Sequence, residues 1–495
     1  MLSNSDSLLY SGECKIKVLR GDSRKKECVA VPVLSNIKKF PVKEYRGERY
    51  QLNSPLHITF TDPISGTLRQ MRIKDLSGSG FSIIEKEKQS VLFAGLIIPE
   101  IRIQLPGKTE ITCRAQVIYN TAASELNQGF LKSGLAILDM DPMDYSWLLN
   151  FIHHEIDDRA YVCNDVDMKS LWSFFFESGF IYPEKYKYIF ANKEKIKKLY
   201  EKLYSEHPGI ARHFIYQEEN HIQGHMSMLR SYENSWLLHH HAASTIHGHN
   251  GGLQVLNQIG SFGNNCHRIE SMHFEYLMCY FRRENKFPDK VFGGLAKKIN
   301  NPKHCSLDDW AYFYFNKINQ SQTKDISGWE LRKTTEGELK NLECYYENNS
   351  GGLLFKAFNL DGDDSGERSL INDYEKSGLL RDISLFSIQK DNQVKGMIMV
   401  DCSEAGINMS DLTNSFKIFI TDPEGLTKEI LNTLLIKLSN FYPDEDRISA
   451  LLYPHNLADE LNISIEKIYT LWVLNMEASD TYFHYLKLLL RIIKH

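Results

Sequence analysis

The sequence predicts a multidomain chain in which an N-terminal antiparallel β-barrel precedes two mixed α/β (α+β) modules. Three observations carry this expectation. The chain has 495 residues, and domains run at roughly 150 residues each, so more than one core is needed. Its first third is dominated by short strand patterns that end in a helix. Its remainder shows twice an order of strand, hairpin, strand, turn and helix.

Hydrophobic residues make up 42% and charged residues 24% of the chain, the balance of an ordinary globular protein with enough apolar material for several cores. Fifty-eight basic side chains stand against 63 acidic ones, a net charge of −5. That excludes a global attraction to a nucleic-acid polymer or an anionic membrane, so an anionic ligand needs a local cluster of Arg or Lys. The nine cysteines are scattered, odd in number and form no CxxC, which points to free thiols in a reducing compartment. Met1 to Asp6 lacks a basic start followed by an apolar stretch, and no apolar run approaches a membrane span. A cytoplasmic location is the expectation.

The barrel is expected over residues 41–158, after an N-terminal extension, 1–40. Leu56 to Phe60 alternates as a half-buried strand, Asp62-Pro63-Ile64-Ser65-Gly66 is a turn, and Leu68 to Lys74 runs back. Further strands are expected at Phe81–Glu85, Ile97–Leu105, Glu110–Tyr119 and Ser133–Leu138, spaced as in a small antiparallel barrel. Asp141 is the expected N-cap of a closing helix, with Pro142 at its first position. The charged stretch His153 to Arg159 reads as the start of a linker.

The first α/β module is expected over 168–322. Helices are predicted at Met168–Ser178 and Glu194–Glu206, and strands at Arg212–Gln217, Gly224–Arg230 and Trp236–His241. The Gly-rich turn Gly248-His249-Asn250-Gly251-Gly252 then opens a helix from Leu253. The second module is expected over 326–495. A strand at Trp329–Leu331 and a helix at Glu336–Tyr345 lead to a hairpin of Leu385–Gln389 with Lys395–Asp401. A strand at Lys417–Ile420, the turn Asp422-Pro423-Glu424-Gly425, a helix from Leu426 and a strand at Arg447–Leu452 follow.

Asp75-Leu76-Ser77-Gly78-Ser79-Gly80 fits a DxSxxG pattern at a strand end, and Arg46-Gly47-Glu48-Arg49 lies just before the first barrel strand. With Gly134 in a late strand and the closing helix, residues 43–157 resemble the PilZ family. The resemblance implies a small barrel that binds cyclic di-GMP. It implies that Arg46 and Arg49 grip phosphates and guanine edges while Asp75, Ser77 and Gly80 form the turn that holds a guanine. The chemistry is reasonable by itself, since an Arg fork reads guanine O6 and N7 and matches phosphate, and glycines let the backbone approach closely. The family's arginines are spaced RxxxR, whereas Arg46 and Arg49 are spaced RxxR. A true RxxxR, Arg20 to Arg24, is the reserve pair, farther from Asp75 in the chain.

The most unusual stretch is Trp236-Leu237-Leu238-His239-His240-His241, with His221, His225, His247 and His249 nearby. Neutral imidazoles could ligate a metal, and alternation would place His239 and His241 on one strand face. No carboxylate or cysteine stands at a recognisable ligand spacing, so no metal site is assigned. The other reading is phosphate binding, because a Gly-rich turn entering a helix presents N–H groups to an anion. Residues 220–265 resemble the core of GNAT acetyltransferases. That resemblance implies an acyl-CoA held at Gly248, Asn250, Gly251 and Gly252, with His239 and His241 near the reaction. Residues from Gly328 onward also resemble this fold. There Tyr469 stands where such enzymes often place a general acid, and core packing beside Trp472 is the competing reading.

The expected function is a cyclic-di-GMP-responsive bacterial effector whose barrel regulates an acyltransferase-like body. Two alternatives remain open: a non-catalytic effector whose second part docks on a protein partner, and a metal-dependent enzyme using the His221–His249 cluster.

Overall fold

The computed structural model describes residues 1–5, 8–21, 26–34, 37–43, 49–52, 55–123, 129–162, 167–179, 181, 186–219, 221–244, 251–317, 326, 328–361 and 364–493. They fall into two compact units, one of residues 1–163 and 257–274, the other of 164–256 and 275–495. None of the described helices is long and apolar enough to cross a membrane.

The first unit contains β1 (Leu2–Ser5), β2 (Leu8–Ser11), β3 (Cys14–Gly21), β4 (Lys26–Pro32), β5 (Lys38–Pro41) and β6 (Tyr50–Gln51). It continues with β7 (His57–Thr61), β8 (Leu68–Ser77), β9 (Gly80–Lys86), β10 (Ile97–Gln104), β11 (Glu110–Ala122), β12 (Phe130–Met140) and β13 (Ala160–Val162). Strands β8-β7-β10-β11-β12-β9 pair in that order, and β9 pairs back with β8, so the sheet closes on itself. This is the antiparallel barrel that the strand pattern predicts. Alternating inward residues such as Ile58, Ile83, Ile103, Ile111 and Val117 fill it and are fully buried.

The first hairpin forms as its residues dictate. Asp62 accepts from the Ile64 backbone N–H at 3.0 Å and from Ser65 Oγ at 2.5 Å, and Gly66 takes φ +69°. Asp141 caps the closing helix Pro142–Ile156 by accepting from Met143 N at 2.8 Å. The charged stretch read as a linker instead completes this helix up to Ile156. His153 is buried within it, and burial holds its imidazole down to about 4, neutral at pH 7.

Strands β1 to β5, in a region left without elements by the sequence pattern, build two small sheets: β2 between β1 and β5, and β3 paired antiparallel with β4. Gln116 of the barrel fastens β1, since its side-chain oxygen accepts from Leu2 N (2.6 Å) and its amide donates to Leu2 O (3.1 Å).

The second unit is a mixed sheet with helices. Its strands are β14 (Ala211–Glu218), β15 (His221–Tyr232), β16 (Ser235–Ala243), β17 (Tyr276–Phe281), β18 (Cys305–Asn316) and β19 (Trp329–Lys333). The rest are β20 (Arg381–Lys390), β21 (Gln393–Ser403), β22 (Ser415–Ile420), β23 (Arg447–Tyr453) and β24 (Lys467–Asn475). They pair in the order β14-β15-β16-β17-β24-β18-β23-β22-β21-β20-β19. Two neighbouring pairs are parallel, β16 with β17 and β22 with β23. Each is joined through a helix, Gly251–Cys266 in the first half and Lys428–Leu438 in the second.

The halves exchange their last strands. β18 follows β17 in the chain but pairs with β23, while β24 follows β23 but pairs with β17. β18 and β24 then pair with each other from Cys305↔Leu474 to Tyr312↔Lys467. The seam between the halves is therefore a continuous hydrogen-bonded ladder.

Candidate functional site

The barrel seam gathers the motif. β6 pairs Tyr50 with Leu76 and Gln51 with Asp75, so Arg49, one residue earlier, is delivered to the end of β8. Asp75, Leu76 and Ser77 finish β8, Gly78 and Ser79 turn, and Gly80 opens β9 opposite Ser77. Ser77 Oγ donates to Gly80 O at 3.0 Å and fastens the turn. Gly80 is required by space: a Cβ there would lie 2.2 Å from Leu135 O.

Asp75 lies in a cross-strand row. It is opposite Ser82, which is opposite Gly134, which is opposite Tyr119. Directly opposed residues share a face. Tyr119 lies against Gly134, where a Cβ would come within 2.2 Å of its ring. Arg49 Nη1 reaches Asp75 Oδ1 at 3.4 Å and donates to Tyr119 Oη at 3.1 Å, and Lys132 Nζ donates to Asp75 Oδ2 at 2.7 Å. The Asp75 side chain is 8% exposed, whereas Arg49 and Lys132 are 38% and 32% exposed. Burial pushes the Asp75 carboxyl upward, but hydrogen bonds from Lys132 and Ser82, with the charges of Lys132 and then Arg49, outweigh it and hold it below its ordinary value. The result is an ionised acceptor flanked by two accessible cations and an aromatic ring.

The structure thus brings Arg49, Asp75, Ser77 and Gly80 together. Arg46 and Arg24 lie outside the described residues, and Arg20 is on β3. Tyr119 and Lys132 were not found from the sequence. The available signal was their place on the β11 and β12 patterns, but register decides which residues meet Asp75.

The histidines form a different environment. His239 pairs with Ser227 and Ala242 with His225, so His240 and His241 face the single residue Met226 in a bulge, and His240 takes φ +52°. The bulge breaks the alternation that was expected to put His239 and His241 on one face. His241 Nε2 lies 3.2 Å from Gly252 O. Both ring nitrogens of His239 are buried with no hydrogen-bond partner among the described residues, and burial holds its imidazole down to about 3. His225 is fully buried, held at about 4, and packs edge-on against Phe175 at 5.1 Å. His213 stacks on Tyr204 at 4.3 Å. Among the described residues no three His, Cys, Asp or Glu side chains converge as for a metal ion. His247 and His249 lie outside them.

Gly248 and Asn250 also lie outside the described residues, while Gly251 and Gly252 begin the helix and are buried. Added Cβ atoms at Gly224 or Gly251 would fall 2.4 Å from the other segment's backbone, so this helix start is pressed onto β15. In the second half, Asp422 accepts from Lys395 Nζ at 2.5 Å and from Glu424 N at 3.0 Å, closing the loop upon itself. Tyr469 is 8% exposed on β24 and packs edge-on to Tyr280 and Tyr312 at 6.2 and 5.4 Å.

No protein-family model matches the sequence, and no curated protein matches it. Among solved structures, the chain is similar to the PilZ domain of YcgR from Escherichia coli with cyclic di-GMP, at 17% identity over 24% of this chain and 95% of that one (TM-score 0.21). It is similar to the Bacillus subtilis inhibitor of motility MotI, at 17% identity over 32% and 71% (TM-score 0.20). It is also similar to a GCN5-related N-acetyltransferase from Sphaerobacter thermophilus, at 11% identity over 64% and 96% (TM-score 0.35). These likenesses are too slight to assign a family, so a functional reading rests on the site's own residues.

Proposed function

We propose that the chain is a cyclic-di-GMP-responsive bacterial effector that binds the dinucleotide on the barrel face around Arg49, Asp75 and Ser77. The observation that carries this is the convergence of an Arg, an ionised Asp and the Ser77–Gly80 turn at the seam where β8 and β9 close the barrel. Arg49 matches phosphate or a guanine edge, and Asp75 can accept from guanine N–H groups. Titration of the full chain with cyclic di-GMP tests the reading. Wild type should bind, and Arg49→Ala should weaken binding at least about tenfold, the worth of one charge-assisted hydrogen bond, while the chain still folds. Absence of binding by wild type sinks the proposal.

For the second unit, the reading best supported is a docking scaffold for a protein partner. The buried Gly251–Gly252 helix start and the self-satisfied Asp422 loop favour it over acyl transfer. Calorimetric titration with acetyl-CoA, with and without cyclic di-GMP, decides between them, and binding would restore the acyltransferase reading. Buried thiols such as Cys113 and Cys279, both pushed up to about 12 by burial, suit a reducing cytoplasmic setting.

A further inference from the structure

We infer that Lys132 is a ligand-binding residue of the barrel site: it supplies a second phosphate-binding cation and leaves Asp75 when the dinucleotide engages that carboxylate. The inference rests on the dinucleotide reading and adds a residue that no sequence motif marks. A cyclic dinucleotide carries two phosphate charges, and among the described residues the row around Asp75 holds two cations, Arg49 and Lys132. Both contact Asp75. Lys132 Nζ occupies Oδ2 at 2.7 Å, and Arg49 Nη1 lies against Oδ1 at 3.4 Å while also donating to Tyr119.

A guanine that donates two N–H groups to Asp75 competes with these cations for its two oxygens, which offer about four acceptor sites in all. Arg49 keeps Tyr119 Oη as a partner at 3.1 Å. Lys132 has only Asp75 as an ion-pair partner among the described residues, and its half-exposed position leaves its ammonium free to turn outward. It stands two residues before Gly134 on β12, hence on the same face as Tyr119's neighbour in the row. A displaced ammonium on that face meets the ligand's phosphate at the moment the base takes its place on Asp75. Exchange keeps the buried carboxylate partnered throughout, which a bare displacement would not.

The test is calorimetric titration of cyclic di-GMP into the full chain as wild type, Lys132→Met and Lys132→Arg, each at low and at moderate salt. The expected result is binding weakened about tenfold or more by Lys132→Met. Its salt dependence should be shallower than that of wild type, because one screened cation–phosphate attraction is lost. Lys132→Arg should recover most of the affinity. If Lys132→Met binds as tightly as wild type, or tighter, Lys132 is only the counter-ion of Asp75 and the inference is overturned. If Lys132→Met is weaker but keeps the wild-type salt slope, the loss comes from a disturbed Asp75 and the inference is again overturned. Failure of the dinucleotide reading is a separate outcome, in which wild type itself does not bind.

Discussion

Replacing Asp308 with Asn should stabilise the second unit at neutral pH and lose that advantage in mild acid. Asp308 sits on β18 at 2% exposure, accepting from Tyr346 Oη at 2.8 Å and from Ser350 Oγ at 2.7 Å. Burial raises its carboxyl from 3.8 to about 6, against the two hydrogen bonds. Because the folded value lies above the unfolded one, its contribution is complete below 3.8 and is lost as pH rises through about 6. At 1.36 kcal/mol per pH unit, the gap corresponds to roughly 3 kcal/mol. Asn removes that charge and gives up about 1 kcal/mol of hydrogen bonding. The variant should therefore be ~2 kcal/mol more stable than wild type at about pH 7.5, and nearly equal to it at about pH 4.5, where wild type is largely protonated. Urea unfolding followed by tryptophan fluorescence at the two pH values measures this, since Trp236, Trp310 and Trp472 are buried in the same unit. A stability difference that does not change between them refutes the reasoning.

Asp401→Asn should act in the opposite sense. Burial pushes this carboxyl up, yet the charges of Arg381 and Lys417 hold it below 3.8, so the stability it confers is present above that value and fades as pH falls. Neutralising it leaves two buried cations without their partner, and urea unfolding at neutral pH should show a loss of about 3–5 kcal/mol. In the barrel, Gly134→Ala forces the Tyr119 ring off its bed. A loss of roughly 1–3 kcal/mol in barrel stability should accompany weaker cyclic di-GMP binding, measured by thermal melting and titration. Unchanged binding would mean Tyr119 plays no part in the site.

The barrel was legible because its strands are packed on one side. Leu56 to Phe60 and Glu110 to Tyr119 alternate, and the turn at Asp62–Gly66 states its own geometry. In the second unit the strands that escaped are β17, β18 and β24. Tyr276-Leu277-Met278-Cys279-Tyr280-Phe281 and Tyr469-Thr470-Leu471-Trp472-Val473-Leu474 are nearly continuous apolar runs, buried along almost their whole length, and such strands lack the two-residue period. The strand exchange was hidden with them. The site was half legible for a related reason. Arg49 and Asp75 are 26 residues apart and joined by one short strand pairing, whereas Lys132 and Tyr119 meet them across separations of 57 and 70 residues. β11 and β12 carry register shifts between Arg114 and Ala115 and between Val117 and Tyr119, and no local pattern sets such a register.

The second unit's polar interior bears on how its two halves are held. Arg381 of β20 pairs with Asp401 of β21, lies over the Tyr232 ring and donates to Ser231 O on β15 at 2.5 Å. Tyr232 Oη donates to Asp401 at 3.1 Å, and nearby Arg230 holds Glu233 at 2.7 Å and Asp373 at 2.9 Å. The first half's hairpin is thereby tied to the second half's, away from the β18–β24 ladder. Buried ion pairs add little net stability, but leaving any member unpaired is costly, so they penalise every alternative packing of the two halves. Sliding one half over the other would break this network and the exchanged strands together. The relative position of the two halves is thereby fixed at two separate places, the exchanged strands and the buried ion-pair network.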